Sequence, residues 1–341
     1  MTGGNVKDYS IATIGSHTAL QILHGAKQEG FRTIAVCEKG KEVPYVSYRV
    51  ADEILTVDSF ADFFDVEDEL IKKNAIVIPH GSFISYLDLK RFKKLRAMHY
   101  GNKNVLDWES DKGKQREWLK NAGLLLPKIF KDPETIDRPV IIKFHGAAGG
   151  HGYFLVQTPE DFWKRLKETG NENRKYIIQE YIIGVPLYIH YFYSLLTEEL
   201  EIMGFDKRYE SNVDSIGRIA AKDQMNLKIE TSYDIIGNIP LVIRESLLPK
   251  AFELGQRVVD YSKEVTPPGL YGPFCLETIV TPEGEFFVFE ISARIVAGTN
   301  VHISGSPYAK FRYREPMSTG RRIARELKNA IESGRIKEVL G

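Results

Sequence analysis

The chain has 341 residues, more than one ordinary domain holds, so one large multi-lobed unit or two to three domains is expected. Hydrophobic residues make up 43% and charged residues 27%, the composition of a soluble globular protein, and 46 basic against 46 acidic side chains leave no global field to draw in nucleic acid or an anionic membrane. Two cysteines, Cys37 and Cys275, exclude a disulfide framework and suit a reducing compartment. Residues 1–10 are polar, without the layout of a signal peptide. The most apolar long stretch, Tyr176 to Leu196, is broken by Gln179, Glu180, Pro186 and His190, so no membrane span and a cytoplasmic location are expected.

A β-prone run, Ser10 to Ile14, ends at Gly15-Ser16-His17-Thr18 and leads into helical spacing of Leu20, Ile22, Leu23 and Ala26, stopped at Gly30. Phe31 to Cys37 is the next strand, and a strand, loop, helix, strand unit implies a parallel sheet. The grammar repeats with Ile54 to Val57 and with Ala75 to Pro79, which runs directly into His80-Gly81-Ser82-Phe83. Parallel sheets bind ligands beyond the carboxyl ends of their strands, so Ser16, His17, His80 and Ser82 form a candidate pocket. Residues 84–112 read as helical, with Lys90, Arg91, Lys93, Lys94 and Arg96 crowded together. With zero net charge, a solvated helix face is favoured there over a phosphate or nucleic-acid patch.

Asn121-Ala122-Gly123 ends a helix begun near Lys112, where the nucleotide-binding part opens. Strands are expected at Leu124 to Phe130, Val140 to Phe144, Gly152 to Val156 and Tyr176 to Tyr181, with a helix from Pro159 to Glu168 capped by Thr158. From Leu187 onward antiparallel strands dominate, with helices near 246–263 and 319–333. On the second of these, Arg321, Arg322 and Arg325 read as a polar face. The expected division is a parallel α/β domain (1–111), a small α/β lobe (112–185) and a mostly antiparallel lobe (186–341).

Four features of the later part of the chain, taken in order, read as a device for holding Mg·ATP. Lys143 ends a buried β run; a lysine reaching solvent from a strand end is the commoner fate of such a residue. The stretch Gly146-Ala147-Ala148-Gly149-Gly150-His151-Gly152 follows it, and its glycines let backbone N–H groups approach a triphosphate; a plain hairpin is the alternative. Gln179-Glu180-Tyr181-Ile182 can offer backbone groups to an adenine edge and a carboxylate to its amino group or ribose, or is an ordinary strand end. Glu277 and Glu290 flank the turn Thr281-Pro282-Glu283-Gly284; pairing Val280 with Glu285 sets Glu277 opposite Val288 and makes the two carboxylates diagonal neighbours on one face, about 7 Å apart. Two such carboxylates suit a divalent cation, with Ser292 and Arg294 continuing the face toward phosphate oxygens; solvent-facing glutamates are the alternative. Eight histidines without ligand spacing speak against zinc.

In this order the motifs resemble the ATP-grasp superfamily, in which two lobes clamp ATP and a carboxylate is joined to an amine through an acyl phosphate. The blocks Ala12 to Thr18, Val77 to Phe83, Asp206 to Asn212, Gly237-Asn238-Ile239-Pro240 with Arg244-Glu245-Ser246, and Gly272 to Leu276 are similar, almost end to end, to the archaeal formate-dependent FAICAR synthetase family of purine biosynthesis. The resemblance implies an ATP-grasp fold with an N-terminal Rossmann-like domain, a small lid lobe and a mostly antiparallel C-terminal lobe. It also implies conversion of AICAR, formate and ATP into FAICAR, ADP and phosphate, with Mg²⁺ or Mn²⁺, in a homo-oligomer for which a hexamer is the candidate number. Carried over, His17, Ser82 and Asn238 contact AICAR, and Glu277 and Glu290 hold the metal. Lys143, Gly149, Gly150, His151, Gln179, Glu180, Tyr181, Ile182 and Glu210 line the ATP site, and Lys143 and Arg294 act on the transferring phosphoryl group. Ala148 and His151 stand where the family commonly has arginines, and Val296-Ala297 where an acidic residue is common. A ligase for another acid or amine, and a weakly active purine-nucleotide-binding paralogue, are the alternatives.

Overall fold

The computed structural model describes residues 4–144, 153–210, 215–227 and 235–341. The first sheet contains β1 (Ser10–Ile14), β2 (Arg32–Glu38), β3 (Glu53–Val57), β4 (Ala75–Val77) and β5 (Met98–His99), in the order β3-β2-β1-β4-β5 with every pair parallel. All five residues of β1 are buried, as expected of a central strand covered on both faces. Strand order reverses between β1 and β4, so the loops after these two strands, residues 15–18 and 78–82, meet at the crevice where such sheets take ligands. Within 84–112 the chain is not purely helical, because β5 intervenes; two residues are too short a run to carry a periodic signal.

The second sheet holds β6 (Ile129–Phe130), β7 (Val140–Phe144), β8 (Tyr153–Val156) and β9 (Tyr176–Glu180) in the order β6-β9-β7-β8. The helix Pro159–Glu168 closes over it, with the Thr158 hydroxyl accepting from Asp161 N–H at 3.2 Å. The continuous strand expected over Leu124 to Phe130 is instead split. Leu125 bridges to Phe287 of the third sheet while only Ile129 and Phe130 pair with β9, and Pro127, which has no N–H to give a ladder, stands between the two parts.

The third sheet is antiparallel: β10 (Val185–Ser194), β11 (Glu199–Glu210), β12 (Ile235–Leu241), β13 (Gly272–Val280) and β14 (Phe286–Ser292), ordered β12-β11-β10-β13-β14. One face packs on the helix Leu248–Val265, where Tyr191 OH donates to Ala251 O at 2.7 Å. Period-two alternation turns Tyr188 and His190 to the other face. There the helix Thr319–Glu332 is wedged between the third sheet and the helix Ala19–Gln28 of the first layer. Its arginines are not the solvent-facing row expected. Arg322 is buried, pairing with Glu201 at 2.9 Å and Glu326 at 2.8 Å, while Arg321 and Arg325 both reach the buried Glu29 at 2.6 Å. Carboxylates from distant elements, Glu29 and Glu201, and Glu326 one turn along the same helix make that burial tolerable. The basic run of the first layer is surface chemistry: Arg96 pairs with Glu67 and Asp68, Lys93 with Asp107, and Arg91 lies over the Phe64 ring.

One hydrophobic core runs from Ile11, Ile22 and Ile76 of the first layer to Phe192, Phe205, Phe274 and Phe286 of the third sheet, so these two parts are packed as one body. The second sheet has a core of its own around Val140, Ile142, Phe154 and Phe162. Among the described residues no helix is long and apolar enough to cross a membrane.

Candidate active site

The β13–β14 hairpin differs from its expected register. Thr281 N–H donates to Glu285 O at 3.0 Å, so the turn takes in Glu285 and Val280 pairs with Phe286. Phe289 is then an extra residue, a bulge between the pairs Thr278–Val288 and Glu277–Glu290. The two carboxylates therefore share a face but stand directly opposite one another rather than on a diagonal.

Around them is a cavity of about 270 Å³, walled by Tyr188 and His190 of β10, Asp206 and Arg208 of β11, Asn238 of β12, and the hairpin residues Cys275, Glu277, Glu290 and Ser292. Arg294, Val296, Ala297 and Gly298 follow from β14, and His17 reaches in from the first sheet. Glu277 is buried and bonded to Arg208, whose guanidinium also lies 4.4 Å over the Tyr188 ring. Burial pushes its carboxyl up to about 7, with Glu290 acting in the same direction and Arg208 and Arg294 opposing. Glu290 is half-buried and pairs with Lys112 at 3.0 Å. Arg294 is anchored by the buried Glu109 at 3.0 Å, whose other oxygen accepts from Ala293 N–H at 2.9 Å. Lys143 approaches Gln179 Oε1 at 3.3 Å; the surrounding protein holds its ammonium below the usual range, Glu290 opposing and Lys112 assisting.

At the switch point of the first sheet, His80 is fully buried with its tautomer fixed: Nε2–H donates to Ile14 O at 2.9 Å and Nδ1 accepts from Ser82 N–H at 3.2 Å. Burial lowers its imidazole to about 3, so it is neutral. His17 stacks on it, centroids 5.3 Å apart and rings within 3° of parallel. The walls of the cavity, and then Arg294, hold His17 below the ordinary imidazole range. Ser82 Oγ donates to Ser16 Oγ at 3.0 Å. A Cβ at position 81 would lie 2.6 Å from His17 Nε2, so glycine is required for this ring position.

Two family models cover most of the chain: a domain of unknown function, DUF1297, over residues 162–341 and a protein of unknown function, DUF1246, over residues 11–130. The 5-formaminoimidazole-4-carboxamide-1-(beta)-D-ribofuranosyl 5'-monophosphate synthetase of Pyrococcus horikoshii is 54% identical over 336 residues, 97% of this chain and 99% of the relative. The protein of that name from Methanothermobacter thermautotrophicus is 45% identical over 350 residues, 100% and 96% of the two chains. This chain belongs to that synthetase family. Among solved structures, the IMP biosynthesis protein PurP from Thermococcus kodakaraensis superposes with a TM-score of 0.78 at 30% identity, covering 97% of this chain and all of its own. The ADP complex of N5-carboxyaminoimidazole ribonucleotide synthetase gives 0.66 at 15% identity over 96% and 79%, a likeness of fold. The fold is the ATP-grasp fold.

Of the residues expected to serve the synthetase reaction, His17, Asn238, Glu277, Glu290 and Arg294 line the one cavity, with Lys143 electrostatically coupled to Glu290 and Ser82 buried behind His17. Gln179 through Ile182 leave β9 toward β10. The Glu180 carboxylate is already engaged there by Lys128 N–H at 2.9 Å and Arg138 at 3.1 Å, and Tyr181 N–H by Pro139 O at 2.8 Å. Gly149, Gly150 and His151, with the rest of the glycine stretch, lie outside the described residues, as does the Glu210 side chain. Four polar groups at the site escaped the sequence reading: Lys112, Arg208, and the buried pair His190–Asp206, 2.7 Å apart.

The carboxylate pair fits a divalent cation. Glu277 and Glu290 are opposed hard oxygen donors, and the desolvated Glu277 is short of positive charge even beside Arg208.

Proposed function

We propose that the chain formylates the 5-amino group of AICAR, with ATP and formate, to give FAICAR, ADP and phosphate. The observation that supports this most is the single cavity joining His17, from the switch point of a parallel sheet, to the Glu277–Glu290 pair and to Arg208 and Arg294 on the antiparallel sheet. A nucleotide monophosphate end-group suits the first wall and a triphosphate the second.

Formate does not acylate an amine in water because its oxygen is a poor leaving group, so phosphorylation precedes acyl transfer. A formate oxygen attacks the γ-phosphorus of ATP and the bond to ADP breaks. The amine nitrogen then attacks the formyl carbon, phosphate leaves with the bridging oxygen, and the nitrogen loses a proton. In this reading Lys143, Arg208 and Arg294 place positive charge around the transferring phosphoryl group, already oriented by Gln179, Glu277 and Glu109 respectively. Glu277 and Glu290 would hold Mg²⁺ or Mn²⁺, which when bound neutralises phosphate oxygens. The glycine stretch with Gly149, Gly150 and His151 would cover the phosphates, and the segment around Ile182 would meet the adenine. Ser16, His17 and Ser82 offer small neutral donors to the AICAR phosphate.

The test is ADP release with formate, with AICAR and with both. Release that requires both and yields FAICAR supports the reading; turnover with another acid in place of formate, or AICAR and ATP binding without turnover, would replace it.

A further inference from the structure

In the cavity wall, one buried carboxylate holds two neighbours at once. Asp206, 1% exposed, accepts from Asn238 Nδ2 at 2.6 Å through Oδ2 and lies 2.7 Å from His190 Nε2 through Oδ1. His190 is likewise 1% exposed, and its Nδ1 has no partner among the described residues. Gly298 closes over the pair so tightly that a Cβ there would lie 2.3 Å from Asp206 Oδ1 and 2.8 Å from His190 Cε1. The arrangement therefore has little room to rearrange.

A carboxylate only accepts hydrogen bonds, so it decides what its neighbours present elsewhere. Asn238 must give its NH₂ to Asp206, which leaves its carbonyl oxygen for the cavity it lines. His190 donates Nε2–H to Asp206 Oδ1, and its Nδ1 is shut away from the cavity. Asn238 is thus turned into an acceptor. We propose that Asp206 is a positioning residue that sets the polarity of this corner of the cavity, making Asn238 an acceptor for an exocyclic N–H group of an aminoimidazole carboxamide. The inference rests on the AICAR reading above. It deepens that reading by naming what distinguishes the ligand: AICAR offers donors on both its 5-amino and its 4-carboxamide nitrogen, and an acceptor held in place by Asp206 would disfavour an isostere lacking them.

Asp206→Asn tests this while conserving size and the number of hydrogen bonds. Its amide oxygen still serves Asn238, but its NH₂ turns to His190, which must then accept at Nε2 and carry its proton on Nδ1. Nitrogen-15 NMR of histidine-labelled wild-type protein without ligand, with the signal assigned by its loss in His190→Gln, is expected to show the Nε2–H tautomer, and Asp206→Asn the Nδ1–H tautomer. Calorimetry is expected to show AICAR affinity in Asp206→Asn reduced about 10- to 100-fold, with Mg·ATP affinity within about twofold of wild type. An Nδ1–H tautomer in wild-type protein, unchanged AICAR affinity in the variant, or equal loss of both ligands would overturn the proposal. Failure of wild-type protein to bind AICAR at all would overturn the functional reading instead, and the tautomer, read without ligand, separates the two failures.

Discussion

At the parallel sheet neutral groups support one another, His80 bonding Ser82, Ser82 bonding Ser16 and His17 stacking on His80, whereas around the facing antiparallel sheet charged side chains pair off, Glu277 with Arg208, Glu290 with Lys112 and Arg294 with Glu109. The first wall is finished before any ligand arrives: His80 is locked by Ile14 and Ser82, and it in turn supports His17. The second is provisional. Its carboxylates are held by an arginine and a lysine; a metal would compete for the carboxylates and a triphosphate for the cations, so binding there would exchange one set of charges for another. A neutral wall selects by shape and donors; a charged wall serves chemistry in which charge moves.

The largest expected effect is on the charged wall. Glu290→Gln, at a half-buried position, should leave the fold intact and cut metal-dependent ATP turnover about 10²- to 10³-fold in a coupled ADP assay. Wild-type-like turnover would remove Glu290 from the metal site. On the neutral wall, Gly81→Ala should displace the His17 ring and weaken AICAR about tenfold while leaving ATP binding unchanged, as separate calorimetric titrations would show. Equal weakening of both ligands would mean that the two walls are not independent.

The walls should also respond oppositely to pH. His80 has a folded value of about 3 against an ordinary 6.5, so its contribution to stability is full above 6.5 and is lost as pH falls from 6.5 toward 3, at about 1.4 kcal/mol per pH unit. Burial lowers His99 to about 3 from 6.5 as well, and it contributes in the same direction. Glu277, raised from 4.5 to about 7, acts in the other sense: ionising it costs stability as pH rises from 4.5 to 7. Denaturant titrations across pH should therefore find that His80→Gln reduces the acid-side slope and that Glu277→Gln flattens the loss between 4.5 and 7. A variant that leaves its own window unchanged would contradict the assignment for that group. The smallest effect belongs to Lys112, a largely exposed competitor for Glu290. Lys112→Ala should raise Mg²⁺ affinity by no more than about fivefold, since such pairs are worth at most about 1 kcal/mol, and a fall in affinity would show that Lys112 assists binding.

The neutral wall was legible from sequence because its loops follow strands whose apolar runs and glycine punctuation stand out locally. The charged wall was legible only in part. Alternation around Thr281-Pro282-Glu283-Gly284 gave the shared face of Glu277 and Glu290, but Phe286-Phe287-Val288-Phe289 is apolar throughout and nothing marks which residue is extra, so the bulge and the direct opposition were missed. His190 sits inside Tyr188-Ile189-His190-Tyr191-Phe192, where a histidine reads as core. Its partner Asp206 becomes visible only once β10 is paired with β11. Lys112 lies far along the chain from Glu290, on a helix whose docking depends on tertiary contacts such as Trp118 Nε1–H to Val258 O at 3.0 Å. Local pattern gives elements and turns, and pairing between distant strands gives the polar partners.

The central claim, that formate is first phosphorylated and then transferred to the AICAR amine, is tested most directly with ¹⁸O-labelled formate. Phosphate released during FAICAR formation should carry one ¹⁸O, because the formate oxygen that attacks the γ-phosphorus leaves with it. Unlabelled phosphate accompanying full FAICAR formation would contradict the account.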